Sequence, residues 1–214
     1  MTDVAVELPA PEFTISGVEA DPHAATPALR FAVDVTDASG REIYTIALAA
    51  QVQIDGDRRA YDPETRERLH DLFGEPERIP QTAGPVQLGR VETLVPSFRA
   101  AGSFTLSVPF SGDVELAATR YLASLPGGTV PLTFHFNGSI FYCGDADRLQ
   151  VTLVPWSCEA RHRVRLADWR TLVEQRYAGG GFVRVQAETL AALRRRRMEL
   201  GLATFDATIR EALQ

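Results

Sequence analysis

The chain contains no lysine: all 22 of its basic residues are arginines. That absence excludes Schiff-base chemistry and a phosphate loop built around a lysine. Cysteine is almost as scarce, with 2 residues in 214, so no disulfide framework is expected. A pairing of Cys143 with Cys158 is conceivable but out of place in the cytoplasm, where thiols stay reduced. No stretch approaches the roughly 18 consecutive apolar residues of a membrane span. The start, Met1-Thr2-Asp3-Val4, lacks the basic residues and apolar run of a signal peptide, and the expected location is cytoplasmic. Gly-x-Ser-x-Gly, His-Glu-x-x-His, Cys-x-x-Cys and Walker-type loops are all missing. Gly179-Gly180-Gly181 reads as a linker. The reading is a chain without catalytic residues and without a cofactor.

What is present is an ordinary globular composition, 45% hydrophobic and 23% charged. The net charge of −6 opposes general affinity for nucleic acid. It is unevenly spread: residues 1–57 carry −8, residues 58–160 carry −3 and residues 161–214 carry +5. An acidic head and a basic tail can neutralise each other within one fold, or the tail can meet an acidic partner.

Period-two alternation dominates the first two thirds. Phe13 to Ser16 reads as a strand, and Leu29, Phe31, Val33 and Val35 alternate with polar or small neighbours. With the turn residues Asp37 to Gly40 and the β-branched run Ile43 to Ile54, they predict a long hairpin. Asp62-Pro63 opens a helix that Gly74 and Pro76 stop, and residues 75–90 read as a surface loop. Val91 to Val95 and Phe104 to Phe110 are two further strands. Val114, Ala117, Ala118, Tyr121, Leu122 and Leu125 keep helical spacing. Asn137-Gly138, between Leu132–Phe136 and Ser139–Cys143, is the strongest hairpin signal in the chain. A two-residue loop there would set Phe134 opposite Phe141 and put Leu132, Phe134, Phe136, Phe141 and Cys143 on one core-facing side. Leu149 to Val154 and Trp156 to Arg165 complete the strands. Helices follow at Leu166–Val173, at 187–200 stopped by Gly201, and after the cap Thr204. The expected class is α+β: an antiparallel β-sheet or sandwich body with one or two inserted helices, residues 1–165, and a helical C-terminal appendage, residues 166–214.

Candidate chemistry is sparse. His135, Cys143, Cys158 and His162 are zinc-ligand types, but the expected hairpin register turns His135 and Cys143 to opposite faces, so no metal site is assigned. The reading is a buried thiol with surface histidines. Arg194, Arg195, Arg196 and Arg197 resemble a basic patch. Successive helix residues turn by about 100°, so four in a row sweep most of the circumference and make no flat face. Arg197 falls near the Leu190, Leu193 and Leu200 stripe, where its stem can pack. Trp156 and Trp169 flank the expected body–appendage junction, either as mortar or as contact residues. These two tryptophans and the four arginines are the candidate partner-binding residues.

The segments Arg41 to Ile54, Leu72-Phe73-Gly74-Glu75-Pro76, Ala117 to Leu122, Val130-Pro131-Leu132 and Val154-Pro155-Trp156, in that order, resemble an uncharacterised bacterial family. Its members sit in gene clusters of high-affinity, oxygen-tolerant nickel–iron hydrogenases. The resemblance implies an accessory role in hydrogenase maturation or assembly and a protein partner. It carries over no catalytic residue. Val108-Pro109-Phe110 through Gly128-Thr129-Val130-Pro131-Leu132 is similar to a bacterial export chaperone built on an antiparallel sheet, which implies client binding instead. The expected function is a non-enzymatic interaction factor with no nucleic-acid partner and no membrane span; self-association is left open. The rival is a β domain that binds or converts a small molecule, for which a deep pocket would speak. Nucleic-acid binding through the arginine tail is the third reading.

Overall fold

The computed structural model describes residues 8–21, 24, 26–110, 116–177, 180 and 182–214. The expectations for Val114, Gly179 and Gly181 lie outside these described residues. Among the described residues alternating sequence produces nine antiparallel strands: β1 (Glu12–Ala20), β2 (Ala28–Thr36), β3 (Glu42–Asp55), β4 (Pro85–Val95), β5 (Phe98–Arg99), β6 (Ala101–Pro109), β7 (Thr129–Cys143), β8 (Leu149–Leu153) and β9 (Glu159–Arg165). They join in the order β1-β2-β6-β5-β3-β7-β8, with β4 on β3 and β9 on β7. The short β5 links β1-β2-β6 to the strands around β3 and β7, and these two layers face each other. Phe31 of β2 meets Phe134 of β7 edge-on, ring centres 4.9 Å apart, and Phe13 of β1 lies 4.5 Å from Phe136. β1 runs beside β9, and β4 beside β6, so both flanks of the sandwich close. The α+β class with an antiparallel sheet body is therefore what the chain adopts.

Short helices fill the connections: α1 (Pro63–Arg68), α2 (His70–Phe73), α3 (Ile79–Thr82) and α4 (Ala117–Ser124), followed after the sheet by α5 (Leu166–Tyr177), α6 (Ala187–Glu199) and α7 (Phe205–Ala212). Asp62 caps α1 by accepting the Thr65 N–H at 2.8 Å. This bond and the Thr65 hydroxyl hold the Asp62 carboxyl below its usual range. Gly74, with φ of +83°, ends α2.

Three expectations need correction. The β2–β3 hairpin does not form, because β6 and β5 lie between these strands. The turn residues are used differently: the buried Asp37 carboxylate accepts the Ala10 and Ser39 N–H groups, and the Asp37 N–H donates to the Ala100 carbonyl. Residues 75–90 are not a loop. They hold a 3₁₀ turn, the helix α3 anchored by fully buried Ile79, and the first half of β4. Pro85 begins β4, where the missing N–H is tolerated.

Asn137-Gly138 is no turn: β7 runs straight through it, paired with β3 from Leu132 on Ile54 to Tyr142 on Ile43. On its other side β7 pairs first with β9 and then with β8. Pairing along both halves leaves no room for a reversal. Period two then continues unbroken, so Leu132, Phe134, Phe136, Ile140 and Tyr142 face the core. Phe141 and Cys143 point the other way, opposite to the expected side.

The chain divides into two compact units, Met1–Gly181 and Phe182–Gln214, whereas the sequence suggested a boundary at 165. Helix α5 belongs to the first, since Leu166, Trp169 and Leu172 are buried in its core. The second unit is a pair of helices. Gly201, at φ +63°, ends α6, and the Leu202 N–H closes back on the Arg197 carbonyl at 3.0 Å. Thr204 caps α7 by accepting the Ala207 N–H at 3.1 Å.

Candidate functional site

The outward face of β4, β3, β7 and β8 is the most unusual surface of the first unit. Antiparallel partners share a face, so the registers place side chains in rows. Leu94, Ala47, Ser139 and Leu153 form one row across all four strands. Thr45, Phe141 and Val151 form the next, and Cys143 with Leu149 the one after. A bulge in β3 between Ile43 and Thr45 turns two successive residues outward and adds Tyr44. Leu94, Leu149, Val151 and Leu153 are 54–72% exposed, and Trp156, in the turn leaving β8, is 95% exposed. Small side chains at the centre, Ala47, Ala49 and Asn137, leave a shallow groove of about 500 Å³ against Leu94, Arg90 and Glu92. An apolar, groove-bearing sheet face of this kind can seat apolar side chains of a partner.

The same face changes character along the strands. At the border of the groove, Arg90, Gln51, His135 and Glu159 form a polar row, followed by Gln87, Gln53, Thr133 and Arg161. Arg161 pairs with Glu159 at 2.6 Å, and Thr133 donates to the buried Asp55 carboxylate at 2.7 Å. At the apolar end a hydrogen bond with Cys143 raises the Tyr44 phenol above its usual pKa.

The layer interface offers far less room. Its apolar cavity, between Leu29, Ile54, Phe110, Val164 and Trp169, holds about 20 Å³, against the roughly 300–1,000 Å³ of a small-molecule site. Both cysteines are free. Burial lifts the Cys158 thiol to about 11, and it donates to the Pro11 carbonyl at 3.2 Å. Among the described residues no three His, Cys, Asp or Glu side chains gather as a metal site would require.

His162 is half-buried on the inward side of β9, edge-on to Phe31 at 6.3 Å, and is no surface histidine. Burial lowers its pKa despite a backbone hydrogen bond at Ile15. The folded protein therefore favours the neutral ring. Its contribution to stability is complete above the unfolded value of about 6.5 and is lost as pH falls from there through the lower folded value. His162→Gln is expected to flatten the loss of thermal midpoint between about pH 7 and pH 5 relative to the wild type. Equal slopes in parallel melts would show that His162 does not carry it.

The six candidate binding residues are shared between the two units, Trp156 and Trp169 in the first and the four arginines in the second. Trp169 is only 8% exposed and belongs to the core beneath α5, while Trp156 stands in solvent. Arg196 makes a bidentate bridge to Glu211 of α7 at 2.7 and 3.2 Å. The Arg197 guanidinium lies 4.6 Å over the Phe205 ring. Two of the four arginines are thus occupied in joining α6 to α7, and Arg194 and Arg195 remain exposed. The residues that sequence reasoning missed are Leu149, Val151 and Leu153. Their alternation was visible, but an apolar stripe is ordinarily assigned to a core.

A family model matches residues 8–214 and is described as a family of unknown function, DUF6084. The chain belongs to that family. Membership in an uncharacterised family is thus as the quoted segments implied. No curated protein matches the chain. Among solved structures, it is similar over 74% of its length to 72% of a late embryogenesis abundant (LEA) protein solved in solution, at 9% identity and a TM-score of 0.35. It is also similar over 72% of its length to 15% of a beta-glucosidase from Kluyveromyces marxianus, at 11% identity and a TM-score of 0.27. Likeness at this level carries no inference about what the chain does. Among the described residues no helix is long and apolar enough to cross a membrane.

Proposed function

We infer that this chain is a non-enzymatic protein-interaction factor that assists the maturation or assembly of a hydrogenase. The observation that carries the interaction reading is the apolar outer face of β4, β3, β7 and β8, with Trp156 at 95% exposure. An apolar face of this extent, rimmed by the charged row of Arg90 and Glu159, has the anatomy of a docking surface, with an aromatic anchor and a polar border. The hydrogenase half of the reading is supported by the resemblance of the segments around Arg41–Ile54 and Val154–Trp156.

Affinity purification of the tagged chain from cells expressing their hydrogenase tests both halves. A hydrogenase subunit or maturation factor is expected to co-purify with the wild type. Trp156→Ala combined with Leu153→Glu is expected to abolish capture while leaving the melting midpoint within a degree or two, since both side chains are already in solvent. Recovery of no hydrogenase component removes the partner assignment. Undiminished capture by the double variant removes the face.

A further inference from the structure

Among the described residues every free sheet edge except one is covered or guarded. β1 lies against β9 and β4 against β6. β1 also carries a bulge between Ile15 and Gly17, β4 carries Pro85, Arg90 and Glu92, and β9 carries Arg161, Arg163 and Arg165. These are the devices by which native sheets prevent unwanted strand addition. β8 has none of them. Leu149-Gln150-Val151-Thr152-Leu153 contains no charge, proline or glycine, and among the described residues it pairs with β7 alone.

The backbone of that edge is also determined. The Gly144 N–H donates to the Arg148 carbonyl at 2.7 Å, and the Val154 N–H donates to the Gly138 carbonyl at 3.0 Å. Antiparallel ladders alternate bonded and unbonded pairs, so Gln150 and Thr152 spend their backbone groups on β7. The N–H and C=O groups of Leu149, Val151 and Leu153 point away from it. The segment is moreover symmetric about Val151, with leucine at both ends and an uncharged polar residue on either side of the centre.

We propose that β8 is the self-association edge of this protein: it pairs antiparallel with β8 of a second copy across a two-fold axis at Val151. In this register Val151 faces Val151 of the second copy, and Leu149 faces its Leu153. All three outward-pointing residues then find backbone partners, whereas a shift by two residues strands one on each copy. Apolar side chains meet apolar ones on the outer face, polar meet polar on the inner one, and no like charges oppose. A two-fold contact needs a self-complementary surface, and the strand provides one. The two apolar faces merge into one continuous sheet surface. The edge shares Leu149, Val151 and Leu153 with the outer face, but its readout is the mass of the purified chain alone, so it stands or falls separately from the hydrogenase reading.

Sedimentation equilibrium of the full chain at tens of micromolar is expected to give the dimer mass. Val151→Pro removes one outward N–H and leaves the bonds to β7 in place, a position where edge strands tolerate proline. It is expected to sediment as a folded monomer. Val151→Lys sets two like charges across the axis and is expected to do the same. Should either variant unfold, crosslinking decides. In a Cys143→Ser, Cys158→Ser background, Val151→Cys is expected to oxidise to an intermolecular disulfide, because bonded antiparallel pairs bring Cα atoms to about 5.5 Å. Gln150→Cys, facing inward, is expected not to. A monomeric wild type overturns the proposal. So does a dimer that survives both edge variants, or equal crosslinking of Val151→Cys and Gln150→Cys.

Discussion

Gly138→Ala is expected to be the most damaging single substitution in the chain, costing more than about 4 kcal/mol and leaving the β body insoluble or unfolded. Gly138 sits midway along β7 with φ of +148°, a conformation that side-chain-bearing residues rarely adopt. A Cβ there would lie 2.0 Å from the Ala47 carbonyl oxygen, 3.0 Å from its carbon and 3.1 Å from the Leu48 Cα. All three are backbone atoms of β3, so no side chain can swing aside, and relief requires prising apart the β3–β7 ladder at the centre of its layer. Gly17→Ala provides the contrast. Its Cβ would meet only the Ala32 Cβ at 3.8 Å, an ordinary contact, and its effect is expected to stay within about 1 kcal/mol. Urea unfolding of the two variants side by side measures the difference. A Gly138→Ala midpoint close to that of Gly17→Ala would show that β3 and β7 separate more easily than their pairing implies.

Gly138 also shows where sequence reasoning reaches its limit. Asn-Gly flanked by alternating strands is compatible with a tight turn and equally with a glycine demanded by close backbone approach. Only the partner strand distinguishes them, and β3 is ninety residues upstream in the chain. Features decided within a few residues were legible: the Asp62 cap, the Gly74 and Gly201 stops, the Thr204 cap and the alternation of β1 and β2. Features decided by pairing were not. The misplaced turn put Phe141 and Cys143 on the core side, whereas they share the outward face with the apolar residues of β8 that pair with them in register. The apolar face was also hidden because an alternating apolar stripe is ordinarily a core face. The tryptophans were both noticed, but type could not separate them. Trp169 continues the buried stripe of Leu166 and Leu172 on α5, while Trp156 follows Pro155 in a turn with no helical neighbours to cover it.

Phe134→Ala is the second large effect, expected to cost about 3–5 kcal/mol. Phe134 is fully buried, with Phe31 edge-on at 4.9 Å from the facing layer and Phe136 stacked at 6.3 Å beside it on β7. Both neighbours hang from strands locked into the sheet, so neither can collapse into the space, and the cavity adds to the lost transfer energy. Trp156→Ala removes a larger aromatic ring and is expected to change stability by less than about 0.5 kcal/mol, because that ring is already in water. Chemical denaturation of the two variants, paired with capture of the partner, therefore separates the residues that hold the sandwich together from those that it presents. If Trp156→Ala destabilises as much as Phe134→Ala, the ring is packed in solution and the outer face is not the open surface on which the interaction reading rests. If Phe134→Ala unfolds the chain and Trp156→Ala abolishes capture from a fully folded one, the apolar residues divide into a core that faces between the layers and a binding stripe on the reverse of the same strands.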